Sequence, residues 1–180
     1  AVPVVADLSS ELLSRVYPYA SLAGFYAGTQ KNLGVPGLTI VGLAKDWWAE
    51  VAPQRDQPLA KYLDYQAWID AQSMLNTPST FAWYVALKML RWIEAQGGLE
   101  VIEARNRAKA ERLYGCIDGS GLYTNPVDPV ARSTMNVVFR LVDARLHDAF
   151  LAGAEEAGLL GLKGHRAVGG LRASLYDAIE

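Results

Sequence analysis

Residues Ser79 to Gln96 form a long stretch whose only charges, Lys88, Arg91 and Glu94, are spaced three apart. That spacing puts the charges on one thin stripe of a helix and leaves the rest of its surface apolar. Thr77-Pro78 ahead of it supplies a cap and a proline near the first turn, and Gly97-Gly98 ends it. A helix this apolar requires cover from a sheet or from another subunit. The composition supports a second layer: 51% of the 180 residues are hydrophobic and 20% are charged. That is enough for a packed core and excludes intrinsic disorder.

Three apolar runs precede this helix. Val2 to Ala6 reads as a buried strand, closed by the polar turn Asp7-Leu8-Ser9-Ser10. Gly24 to Gly28 reads as a second strand and runs into Thr29-Gln30-Lys31-Asn32. A turn between Gly34 and Gly37 leads to a third, Leu38 to Leu43. Ala44 to Tyr65, with Trp47-Trp48 and two prolines, reads as a loop or irregular helical excursion. Beyond the long helix, Leu99 to Asp118 is a second helix with Leu99, Ile102, Ala110, Leu113 and Ile117 on one face. Gly119 to Arg132 reads as loop. Met135 to Val142 reads as a strand, and Asp143 to Ala157 as a helix capped by Asp143 and closed by Gly158. A short strand over Leu159–Leu162 and a last strand over Leu171–Tyr176 follow. The pattern is α/β first, with a small α+β layer after about residue 98.

Charge and cysteine narrow the function classes. Seventeen Lys and Arg against nineteen Asp and Glu give a net charge of -2 without a like-charge block, so no nucleic acid or anionic membrane is expected as partner. No apolar run is long enough for a transmembrane helix. The single cysteine, Cys116, allows no internal disulfide and fits a reducing, cytoplasmic compartment. No Cys/His or His/carboxylate cluster has metal-ligand spacing, so no metal is expected. The apolar start at Ala1-Val2-Pro3-Val4-Val5-Ala6 and the end at Leu175-Tyr176-Asp177-Ala178-Ile179-Glu180 both read as cut from a longer chain.

Three constellations carry chemistry. Asp7 and Lys31 each follow an apolar strand, at the carboxyl end where α/β sheets hold ligands. A carboxylate and an amine facing one pocket suit pyridoxal phosphate: the amine binds the aldehyde carbon, and the carboxylate pairs with the pyridine nitrogen. The alternative is two unrelated loop charges. Asn76-Thr77-Pro78 stands at a helix start, suited to a phosphate or serving only as a cap. Lys163-Gly164-His165-Arg166 and Gly169-Gly170-Leu171-Arg172 could grip a doubly anionic substrate, or could be solvated turn charges.

Together these blocks resemble the phosphoserine aminotransferase family. The resemblance rests on Val4-Val5-Ala6-Asp7-Leu8-Ser9-Ser10, Tyr26-Ala27-Gly28-Thr29-Gln30-Lys31-Asn32, Asn76-Thr77-Pro78 and the Lys163–Arg166 and Gly169–Ser174 blocks. Asn106-Arg107-Ala108-Lys109-Ala110 and Arg132-Ser133-Thr134-Met135-Asn136-Val137 add to it. All stand in family order across essentially the whole chain.

The resemblance implies a homodimeric fold type I pyridoxal-phosphate enzyme. It would exchange an amino group between glutamate and 3-phosphohydroxypyruvate, giving 2-oxoglutarate and O-phosphoserine for serine synthesis, and in many bacteria for vitamin B6 synthesis. It implies Lys31 as the cofactor-bearing, proton-shuttling amine, Asp7 on the pyridine nitrogen and Gln30 lining the cofactor site. Asn76 and Thr77 would reach the cofactor phosphate of the partner subunit, so that the active site is shared. Arg172 would hold the substrate α-carboxylate, and His165 and Arg166 its phosphate or distal carboxylate. Residues 1–98 would be the C-terminal part of the large cofactor domain and 99–180 the small domain. Family chains extend beyond both ends of this one, so a C-terminal portion is expected. The alternatives are a fragment inactive alone, or a related transaminase acting on another small acid.

Overall fold

The computed structural model describes residues 2–54 and 57–179. The chain ends Ala1 and Glu180, and Arg55-Asp56 within the 44–65 segment, lie outside the described residues. The chain divides into two compact units, Ala1–Ala95 and Gln96–Glu180.

The first unit is built on a three-stranded sheet in the order β1-β2-β3: β1 (Val5–Asp7), β2 (Gly24–Gly28) and β3 (Thr39–Leu43). β1 runs parallel to β2, and β3 antiparallel to it. Side chains alternate across a strand. Ala6, Phe25, Ala27 and Ile40 accordingly join Leu8, Leu12, Leu33 and Ala86 in one core. The opposite sheet face carries Val5, Tyr26 and Val41, all exposed. β1 was expected as a buried strand over Val2–Ala6. It begins at Val5 and is exposed, because it is an edge strand on a sheet covered on one face only. Asp7, expected in the turn, closes the strand.

Helix α1 (Lys45–Val51) and helix α2 (Tyr65–Asp70) occupy the expected excursion. The Trp48 indole N–H donates to Gln66 Oε1 at 2.9 Å, joining the two. The long helix α3 spans Thr80–Ala95. Its burial is narrower than the sequence pattern implies. Ala82, Ala86 and Ile93 are buried, whereas Phe81, Trp83, Tyr84, Leu87 and Leu90 are exposed. Small residues make the contact: a Cβ on Gly37 would sit 3.3 Å from that of Ala82. The wide apolar face therefore remains open in this chain.

The second unit places helix α4 (Leu99–Asp118) with an antiparallel sheet of order β4-β5-β6. These strands are β4 (Tyr123–Thr124), β5 (Asn136–Leu141) and β6 (Leu171–Ser174). Ile117, Val137, Phe139, Leu141 and Leu171 form its core. The Phe139 ring meets Tyr123 edge-on at 5.5 Å. β4 lies inside the segment read as loop, too short to show a period. Helix α5 (His147–Glu156) is preceded by a 3-10 turn, Ala144–Leu146, because the Asp143 carboxylate accepts from the Arg145 N–H and tightens the start. Leu159–Leu162 is not a strand; Lys163 alone bridges to Leu171. β6 stops at Ser174. Lys109 Nζ on α4 then collects the carbonyls of Leu175, Tyr176 and Ile179 at 3.2, 3.1 and 2.8 Å, which bends that segment off the sheet. Asn106, absent from the expected apolar face of α4, is 2% exposed and donates to Asp177 Oδ1 at 2.7 Å.

Emptying the aromatic centre of the second unit should be costly. Phe139→Ala is expected to lose about 3–5 kcal/mol, read as an earlier denaturant midpoint of the whole protein. Val130→Ala, at a side chain 95% exposed, should stay within about 0.5 kcal/mol. Equal effects would contradict this core assignment.

Candidate active site

Strand register positions the first group. Asp7 pairs with Tyr26 across β1–β2, and Tyr26 with Val41 across β2–β3. Because Ala6 and Ala27 face the core, Asp7 and Tyr26 share the open face. The Ser9 backbone N–H donates to Asp7 Oδ1 at 2.9 Å. Asp7 is held below the ordinary carboxylate range, first by the Ser9 hydroxyl and Ser9 N–H, then by the Tyr26 hydroxyl and the positive charge of Lys31. Tyr26 is pushed up, chiefly by the Asp7 negative charge. At neutral pH the pair is thus a carboxylate and a neutral phenol.

The loop after β2 holds Lys31 by its neighbours. The fully buried Thr29 donates its hydroxyl to Val35 O at 2.5 Å and its N–H to Leu38 O at 3.2 Å. Asn32 Nδ2 donates to Leu12 O at 3.1 Å, and Leu33 is buried in the core. Gly28 N–H donates to Ser9 Oγ at 3.1 Å, tying the ends of β1 and β2 together. A Cβ on Gly28 would run into the Gln30 carboxamide, so Gly28 leaves Gln30 its place. Anchors at 29, 32 and 33 fix the backbone on both sides of Lys31, whose side chain is half-buried.

Asn76 and Thr77 are exposed in the turn before α3. The helix cap is Ser79, whose Oγ accepts from the Ala82 N–H at 3.4 Å and whose carbonyl accepts from Trp83 N–H at 3.0 Å. Capping by Thr77-Pro78 is therefore corrected by two residues, and Asn76 and Thr77 have side chains open to solvent.

In the second unit, Arg172 lies opposite Val138 on the sheet face away from Phe139. A concave pocket of about 340 Å³ there is lined by Val127, Val138, His165 and Arg172 among others. The loop 164–170 that brings His165 to it is closed by Gly164 N–H donating to Gly170 O at 2.9 Å. The His165 carbonyl accepts from Val168 and Gly169 at 2.9 and 2.8 Å. Gly164 admits no side chain, since a Cβ would strike the Gly169 and Gly170 carbonyls. Arg172 Nε is buried with no hydrogen-bond partner among the described residues, a donor that asks for an anion. Arg166 stands exposed on the loop and does not line the pocket. The structure thus gathers Asp7 with Lys31 and His165 with Arg172. Sequence reasoning missed Tyr26, Ser9, Thr29 and Asn32. The signals were there: an Asp-x-Ser turn, and a strand alternation that sets Tyr26 opposite Ala27.

A depressed carboxyl adds stability above its ordinary pKa of about 3.9 that is lost as pH falls through the lower folded value. Carbon NMR of Asp7 should show a midpoint below that of a free aspartate, and Ser9→Ala should move it upward. A midpoint unmoved by Ser9→Ala would contradict the assigned hydrogen bonds.

Comparison with known proteins places these features. The aminotransferase class-V family model matches residues 2–179. The phosphoserine aminotransferases of Azotobacter vinelandii and Pseudomonas entomophila are 50% and 49% identical over 178 residues, covering 99% of this chain and 48% of each relative. The solved phosphoserine aminotransferase from Bacillus circulans subsp. alkalophilus superposes with a TM-score of 0.89 at 42% identity, over 100% of this chain and 49% of that one. The pyridoxal-phosphate-bound enzyme from Trichomonas vaginalis gives 0.85 at 33%, over 99% of this chain and 50% of that one. The chain spans about half the length of the curated relatives it matches. The fold is that of fold type I aminotransferases. With an anionic aspartate beside a loop lysine at the ends of parallel strands, and a family match over nearly its whole length, the chain belongs to the class-V aminotransferases.

Proposed function

We propose that the protein to which this chain belongs is a phosphoserine aminotransferase. It moves an amino group between glutamate and 3-phosphohydroxypyruvate in serine biosynthesis, and serves vitamin B6 synthesis by the same chemistry. The observation that carries the reading is Asp7, held ionised by Ser9 and Tyr26 beside Lys31 on an open sheet face. The named relatives support it.

The donor set fits pyridoxal phosphate. A protonated pyridine nitrogen needs a persistent anion, and Asp7 is one. An aldehyde needs a primary amine on a fixed backbone, and Lys31 is flanked by the Thr29 and Asn32 anchors. When bound, the cofactor supplies an electron sink for the substrate α-carbon. Lys31 Nζ carries the cofactor and moves the proton at that carbon. Asp7 keeps the pyridine nitrogen charged, and Tyr26 keeps Asp7 ionised by donating to it. Gln30, placed over Gly28, lines the cofactor site.

Arg172 takes the substrate α-carboxylate with a guanidinium whose buried Nε has no hydrogen-bond partner among the described residues. His165 and Arg166 take the phosphate or distal carboxylate. Asn76 and Thr77, exposed before α3, reach the cofactor phosphate of a partner subunit in a homodimer. The first unit belongs to the large cofactor domain and the second is the small domain. The enzyme works in the cytoplasm on small molecules, with neither membrane nor nucleic acid as partner.

The test uses the full-length protein. Glutamate and 3-phosphohydroxypyruvate should give 2-oxoglutarate, and added pyridoxal phosphate should give a visible absorption band. Lys31→Ala should abolish the band and lower turnover by at least about a hundredfold. Asp7→Asn should keep the band while lowering turnover. Turnover indifferent to Lys31→Ala would overturn the reading, and activity with pyruvate but not the phosphorylated acceptor would replace the substrate.

A further inference from the structure

The pocket that holds Arg172 contains a second arginine with no role in the proposed reaction so far. Arg140 lies two residues beyond Val138 on β5, and Val138 is the residue paired with Arg172. Strand alternation puts Val138 and Arg140 on the same face, so the two arginines are diagonal neighbours there. Both line the same pocket, together with His165.

The local chain makes room for this. Gly170, across from Arg140, has a left-handed φ of +69° and no side chain, and a Cβ there would lie 3.1 Å from Arg140 Cγ. The stem of Arg140 therefore lies over Gly170. A residue with a side chain at 170 would push it away.

The electrostatics are one-sided. No carboxylate lines the pocket. Among the described residues, none forms an ion pair with Arg140 or Arg172, whereas Arg15, Arg107, Arg132 and Arg145 each have an acidic partner. Arginine stays charged at any working pH. Two uncompensated guanidinium groups on one concave face raise the local concentration of anions. Arg172 is partly buried with its Nε unsatisfied, while Arg140 is exposed. The deeper group suits one carboxylate, and the outer one is available to a second anionic group.

We propose that Arg140 is a specificity-determining residue of this pocket, and that it selects substrates carrying a second anionic group, phosphate or carboxylate, beyond the one Arg172 holds. The proposal rests on the transaminase reading for its substrate and on the pocket geometry for its charge.

The experiment compares 3-phosphohydroxypyruvate with hydroxypyruvate, which lacks the phosphate, in the full-length holoenzyme. Arg140→Gln removes the charge and leaves a shorter polar side chain. The ratio of kcat/KM for the phosphorylated over the unphosphorylated acceptor should fall by about five- to tenfold, the size of one partly exposed charge-assisted contact. Arg140→Lys should restore most of the ratio. A merely structural residue would lower both acceptors alike, and an unchanged ratio overturns the proposal. If neither acceptor is turned over, the transaminase reading fails and calorimetric titration with inorganic phosphate decides the pocket. Weaker phosphate binding by Arg140→Gln than by the unmodified protein supports the proposal, and equal binding overturns it.

Discussion

Asp7 faces Tyr26 because β1 and β2 run parallel in one register, Val5 against Gly24 and Ala6 against Phe25. A slip of one residue would turn Asp7 into the core and Ala6 outward. Leu8, Leu12, Ala27 and Leu33 pack on the core side and oppose such a slip. Ser9 adds a second lock, donating to Asp7 and accepting from Gly28. The same strand end therefore fixes where the carboxylate sits and where the lysine loop departs. Thr29 and Asn32 then spend their polar groups on the backbone of other segments, which leaves Lys31 between two fixed points.

Much of this was legible in the residues. The limits of β2 and α4 follow from glycine punctuation and apolar spacing, and both coincide with the structure. The ends of the apolar runs offered Asp7 with Lys31 as one pairing beside two unrelated loop charges, and the family resemblance chose between them. What escaped was set by tertiary packing. α3 looks uniformly apolar in sequence, yet its buried residues there are Ala82 and Ala86, because the turn at Gly34–Gly37 approaches the helix closely, Gly37 against Ala82 and Gly34 against Val85. Asn106 breaks an apolar helix face, and its purpose is visible only once the chain returns to Asp177. The cap of α3 shifted to Ser79 because local propensity cannot choose among neighbouring hydroxyls.

The second unit shows how charge is placed by clamping some arginines and leaving others open. Arg132 is bonded to both Asp118 oxygens at 2.5 and 3.0 Å, and stacks over Tyr114 at 4.7 Å. Its Nε also reaches Val127 O at 3.5 Å, so it secures the segment that forms one wall of the Arg172 pocket. Arg140 and Arg172 have no such acidic partner among the described residues. An arginine satisfied by a carboxylate holds structure, whereas one left unsatisfied in a concave site holds an anion. That contrast follows from three-dimensional pairing and not from the residue type.

The central claim is that Lys31 is the amine that carries the cofactor. Reductive trapping tests it most directly: the full-length protein is loaded with pyridoxal phosphate, treated with borohydride, digested and sequenced by mass spectrometry. The account predicts a phosphopyridoxyl group on Lys31, in the peptide that holds Thr29 and Asn32. A label on any other lysine, or none on Lys31, would contradict it.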